Sequence, residues 1–163
     1  MLDLLGEGAD LSGANLTGIS LVGLDLSGAR LRGVDLAGAD LSSVNLAGAQ
    51  MQGARLSQAC LNLANLAGAD LRQCHMERAA LQEADVRRAK MLWIDLRSAD
   101  LRLANLTEAD MRGARLSNAD FRRAILSEAN MGEALLWDAT LEKAILQGTR
   151  LVGADMTRAH CAG

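Results

Sequence analysis

Ala9-Asp10-Leu11-Ser12-Gly13 runs without a break into Ala14-Asn15-Leu16-Thr17-Gly18, and the same five-residue phrase recurs almost to the end of the chain. With Leu11 as a centre, i, every fifth residue up to 156 is also a centre, 30 in all. Of these, 22 are Leu, six are Met, one is Val86 and one is Phe121, and none is polar. A second series lies two residues earlier, from Ala9 to Ala154. It holds 23 Ala, with Ile19, Leu24, Val34, Val44, Cys74, Ile94 and Thr149 as the exceptions. Self-similarity at a fixed period outranks local helix and strand signals, because each unit is stable only when stacked on its neighbours.

A period of five excludes both regular elements. On an α-helix five residues advance about 500°, so the centres would spiral around the rod. On a straight strand side chains alternate with period two, so successive centres would face opposite sides. All centres share one side only if the chain bends once per repeat, always in the same sense. Positions i−2 and i then point inward, i−1 points outward between them, and i+1 and i+2 form the corner. The chain coils about its own axis, and each coil pairs with the next at the ~4.8 Å spacing of neighbouring strands. Small residues at i−2 follow from the narrowness of such a coil.

Composition agrees with one domain: 163 residues, 50% apolar, 2% aromatic and no proline. Seventeen basic residues stand against 20 acidic ones, a net charge of −3, which argues against a polybasic nucleic-acid binder. No run approaches the ~20 apolar residues of a membrane span, and the opening Met1-Leu2-Asp3-Leu4-Leu5 lacks the pattern of a signal peptide. Three widely spaced cysteines fit a reducing cytoplasm better than a disulfide framework. The expected organisation is a lead-in over 1–8, a single coiled domain over 9–161 and a tail at 162–163, with Leu2, Leu4 and Leu5 capping the first coil.

Ala-Asp-Leu-Ser-Gly at 9–13, Ala-Asn-Leu-Thr-Gly at 14–18 and Ala-Asp-Leu-Arg-Gln at 69–73 resemble the A(D/N)LXX signature of the pentapeptide repeat family, over residues 9 to about 161. That resemblance implies an all-β fold: a right-handed, four-sided parallel β-helix with four repeats per coil, here about seven and a half coils. It also implies a non-catalytic structural or protein-interaction role, in a family abundant in bacteria. Some members are reported to mimic DNA and bind type II topoisomerases, giving quinolone tolerance. The alternative function is therefore a DNA mimic, but no face of this chain carries a sustained acidic stripe.

With residues 20 apart in one column, Asp10, Arg30, Gln50, Asp70, Lys90 and Asp110 stack, as do Asp35, Arg55, His75, Asp95 and Arg115. Salt-bridge ladders between coils are the expectation. Corners change character along the chain: eight of nine i+2 residues from 13 to 53 are Gly, but only four of twenty from 58 to 153. Leu63, Arg78, Arg88, Trp93, Leu103, Arg123 and Lys143 occupy the later corners. Recognition is expected in that part of the chain, with Leu92, Trp93, Leu135, Trp137, Ile125 and Ile145 as candidate interface residues. Cys74 reads as a core substitute for Ala, and Cys60, at i−1, as exposed. Carboxylates at fixed positions on a convex surface offer no pocket for acid–base chemistry, and no Cys/His pair has metal-ligand spacing. No catalytic residue, metal or cofactor is expected. The expected partner is a protein, either foreign or a second copy meeting the C-terminal half or rod end, with neither membrane nor nucleic acid involved.

Overall fold

The computed structural model describes residues 6–162. Parallel bridges join residues 20 apart throughout, from Asp10↔Arg30 to Thr140↔His160. Twenty residues are four repeats, so each coil has four sides. The chain is a right-handed, four-sided parallel β-helix, as the repeat and the family resemblance led one to expect. We number the faces by their centres: face 1 carries 11, 31 and onward to 151; face 2 carries 16 to 156; face 3 carries 21 to 161; face 4 carries 26 to 146.

The hydrogen bonds explain why five residues suffice for a side. The centre N–H donates to the i−1 carbonyl of the next coil, as Leu61 does to Ala80 O at 2.7 Å. The i+2 N–H donates to the i+1 carbonyl of the next coil, as Leu63 does to Gln82 O at 2.9 Å. The i−1 N–H turns the other way, as Asn65 does to Val44 O at 2.9 Å. The i−2 N–H closes the corner onto the preceding centre, as Ala64 does to Leu61 O at 3.1 Å. Only the i+1 N–H has no backbone partner in this scheme, and buried or half-buried donors must find one. Where i−1 is Asp or Asn it is met by that side chain: Asn65 Oδ1 accepts from the Ala67 N–H at 3.1 Å and Asp85 Oδ1 from the Arg87 N–H at 3.2 Å, while the Gln82 N–H, which follows Ala80, donates to Asn62 Oδ1 at 2.9 Å. The Asp or Asn of the repeat is a built-in turn cap.

Every described i+2 residue has left-handed φ, 62–73° at glycine and 55–61° at eighteen other residues. Corner geometry is therefore the same along the rod, although its glycine content is not. The later corners hold bulky side chains in a conformation that L-residues adopt at a cost of roughly 1–2 kcal/mol.

Centres from Leu16 to Leu141 and i−2 residues from Ala29 to Ala139 are buried in one continuous core. Leu146, Leu151 and Met156 in the last coil are only partly covered. Two polar i−2 residues are accommodated alike. Cys74 Sγ donates to Met51 O at 2.9 Å, and Thr149 Oγ1 to Leu126 O at 2.8 Å. Burial pushes the Cys74 thiol up to about 12, which makes it an inert core residue. The proposed cap of Leu2, Leu4 and Leu5 lies outside the described residues.

Candidate functional site

For the i−1 Asp residues the closest ion pairs run within a repeat, whereas between coils the close pairs are made by corner residues, Arg158–Asp138 at 2.6 Å, Arg88–Glu108 at 3.0 Å and Arg97–Glu77 at 3.2 Å. Arg72, Arg87, Arg102, Arg112 and Arg122 at i+1 each reach back to the i−1 Asp two residues earlier, with Nη2 to Oδ2 distances of 2.7 Å for Arg72–Asp70 and 2.6 Å for Arg87–Asp85. The expected ladder between coils is present but looser: Arg30–Asp10 at 3.6 Å, Arg55–Asp35 at 3.5 Å and Arg115–Asp95 at 3.4 Å. The reason is geometric. An Asp whose Oδ1 already accepts its own i+1 N–H points along the strand toward the i+1 side chain, and a planar guanidinium there meets both oxygens.

These contacts set the electrostatics. The Arg87 side chain holds the Asp85 carboxyl below the usual carboxylate range, aided by its backbone N–H and opposed by partial burial. Asp40 is lowered chiefly by the side chain and backbone N–H of Ser42. Asp95, at 5% exposure the one buried charged residue among those described, is pushed up by burial. The Arg97 side chain and N–H, with the charges of Arg97 and Arg115, outweigh that effect and leave it lowered. Arg97 also reaches Glu77 at 3.2 Å, and Ser57 Oγ donates to Glu77 Oε2 at 2.8 Å. The network on face 2 is a closed set of satisfied pairs.

The candidate interface residues fall on three faces. Leu92 and Trp93 are neighbours at the trailing edge of face 1, Trp93 being 55% exposed. The Trp93 ring lies over Gly113, one coil further on, and a Cβ at Gly113 would overlap it. Leu135 and Trp137 share a repeat on face 2, where Thr157 and the Trp137 indole help to lower the Asp155 carboxyl. Ile125 and Ile145 are bridged to each other on face 4, above a ladder in which Asn65 Nδ2 donates to Asn45 Oδ1 and Asn45 Nδ2 to Asp25 Oδ1, both at 3.0 Å. These pairs are three patches, not one. Cys60 corrects an expectation: it is half-buried, with Sγ 3.1 Å from Ser42 Oγ, which itself donates to Asp40 at 2.6 Å. The turn cap formed by the Asp or Asn at i−1, and the dependence of Trp93 on Gly113, were missed from the sequence. Both had a signal there: the first in the residue type at i−1, the second in a lone glycine among later corners.

Surface depressions flank Trp93 on both sides, about 420 Å³ toward Arg32 and Arg72, and about 510 Å³ toward Arg112, Arg150 and Val152. A third, of about 330 Å³, lies at Leu103, Arg123 and Lys143 on face 3.

The profile of the family described as pentapeptide repeats matches in eight copies, over residues 9–48, 25–62, 59–97, 99–138 and 136–163. No curated protein matches the chain significantly. Among solved structures, a trypsin-treated form of QnrB1, a plasmid-mediated fluoroquinolone resistance protein, superposes with a TM-score of 0.82 at 19% identity, covering 90% of this chain and 73% of that one. HetL, a pentapeptide repeat protein involved in heterocyst differentiation regulation from the cyanobacterium Nostoc sp. strain PCC 7120, is 27% identical over 93% of this chain and 86% of that one, with a TM-score of 0.43. The protein alr5209 from Nostoc PCC 7120 is 37% identical over 52% of this chain and 67% of that one, with a TM-score of 0.49.

Proposed function

The chain belongs to the pentapeptide repeat family, and on that premise we propose that it is a non-catalytic structural and protein-interaction module. Its outward side chains recur at ~4.8 Å along a rigid axis and present a fixed pattern to a protein partner. The observation that carries this reading is how its carboxylates are used. A catalytic acid needs a carboxyl held up toward neutral pH. Here every carboxyl with a resolved direction is lowered, mostly by donors of its own turn, as at Asp25, Asp85, Asp110 and Asp155. Such groups are structural acceptors. The unpaired thiols of Cys60, Cys74 and Cys161 favour a reducing, cytoplasmic setting. Affinity capture from the native host tests the reading. A protein retained specifically by the rod supports it, and the absence of any specific partner counts against it.

A second route is self-association at the C-terminal end. Among the described residues, Leu146, Leu151 and Met156 present partly exposed apolar surface there. Sedimentation across a concentration range tests it, with a strict monomer as the opposing result. The other functional reading, a DNA mimic that binds a type II topoisomerase, draws on the likeness in shape to QnrB1. It is disfavoured by the neutralisation of Asp70, Asp100, Asp110 and Asp120 by adjoining arginines. Gyrase supercoiling with and without a quinolone separates the two: protection of the enzyme would favour the mimic.

A further inference from the structure

Face 1 departs from the charge balance of the rest of the rod. The chain carries a net charge of −3, yet this face and its trailing corner hold six cations, Arg30, Arg32, Arg72, Lys90, Arg112 and Arg150, against four carboxylates. Three of the six have no carboxylate within salt-bridge reach among the described residues. Arg32 is held by the Gln52 and Gln50 side-chain oxygens at 2.9 and 3.1 Å. Lys90 stacks between Asp70 and Asp110, but each of these is claimed by the arginine of its own repeat. Arg150 stacks on Asn130. On the leading corner Arg88 and Glu108 neutralise each other, and Glu128 lies over Gly148.

Trp93 stands in the middle of this surplus. One side of its ring is seated on Gly113 while 55% of the residue stays exposed, and a depression opens on either side of it. Left-handed φ does not explain Gly113, because eighteen other corners hold the same φ without glycine. The missing side chain is what leaves room for the ring. A bulky aromatic held in place before binding loses little freedom when a partner arrives. Trp flanked by Arg is also the composition of energetic centres at interfaces.

We propose that face 1, from Arg32 to Arg150, is a docking surface for an extended acidic segment of a partner protein. Apolar side chains of that segment enter the depressions beside Trp93, and its carboxylates meet Arg32, Lys90 and Arg150. The surface spans six coil steps, ~29 Å, the reach of about nine extended residues. This inference rests on the interaction-module reading and names the partner's chemistry.

The test uses the full chain carrying Trp137→Phe, so that Trp93 is the sole indole reporter. Three probes are titrated: a fluorescein-labelled decapeptide alternating Glu and Leu, its Lys–Leu counterpart, and single-stranded dT10. The Glu–Leu peptide is expected to bind and to change Trp93 fluorescence, with affinity falling as salt rises. Trp93→Ala is expected to weaken it about tenfold or more, and Lys90→Glu with Arg150→Glu to weaken it and flatten the salt dependence. Gly113→Ala, which unseats the ring without removing it, is expected to weaken binding while the circular dichroism stays unchanged. No binding of the Glu–Leu peptide, or binding equalled by the Lys–Leu peptide, overturns the proposal. Preference for dT10 overturns it in favour of a nucleic-acid surface. A dimer of the free protein that dissociates on Trp93→Ala overturns it in favour of a second copy. If a partner captured from the host is retained by the Trp93→Ala, Arg150→Glu rod, this face is excluded while the interaction-module reading survives.

Discussion

The residue at i−1 carries two separable functions. Asp and Asn both cap the i+1 N–H, but only Asp also pairs with an arginine at i+1. Asp85→Asn is therefore expected to keep the turn and change stability by less than ~1 kcal/mol, since a half-exposed pair contributes little. Asp85→Ala loses the cap as well and is expected to cost about 1 kcal/mol more, as measured by urea unfolding. Equal losses for the two variants would contradict the division. At the corner the strain is local: Ser98 holds φ 57° with an exposed side chain. Ser98→Gly relieves the left-handed cost but adds backbone entropy to the unfolded chain, for a net stabilisation of at most about 1 kcal/mol. A lower melting temperature would refute it.

The coil is the element of this fold, and its strength depends on having neighbours on both sides. Leu101 is buried between coils above and below, whereas Leu151 in the last coil is partly exposed. Bridged neighbours fix the backbone around a mid-rod centre, so the void left by a truncated side chain cannot readily collapse. Leu101→Ala is expected to cost about 2–5 kcal/mol, and Leu151→Ala clearly less. Urea midpoints of the two variants measure the difference, and equal losses would mean that burial does not grade along the rod.

For the whole molecule, stability follows from nearest-neighbour stacking. Hydrogen exchange is expected to be slowest in the central coils and fastest at the Leu146, Leu151 and Met156 N–H groups, which lack backbone acceptors among the described residues. Equal protection of both in a monomer would contradict this. The many lowered Asp carboxyls also give stability a direction in pH. A group whose folded value is depressed contributes fully above the unfolded Asp value of about 3.9. That contribution disappears as pH falls through the folded value. Denaturant midpoints are expected to be flat between pH 5 and pH 7 on this account and to fall below about pH 4. A maximum at pH 3 would oppose it.

The period of five, the unbroken apolar centres and the small residues at i−2 were enough to establish a coil with a single enclosed core, because no helix or straight strand can hide every fifth residue on one side. Four sides and handedness came from likeness to a family, and bridges at a spacing of 20 residues confirmed the four sides. The sequence also placed Leu92 and Trp93, Leu135 and Trp137, and Ile125 and Ile145 on the outside. It did not reveal that Asp70 and Asp110 turn to their own arginines and leave Lys90 unpaired, or that Trp93 rests on Gly113. Those depend on the direction in which a side chain leaves its turn and on which atoms twenty residues away meet it. Column registry alone gives proximity, whereas competition among donors for one carboxylate is resolved only in three dimensions.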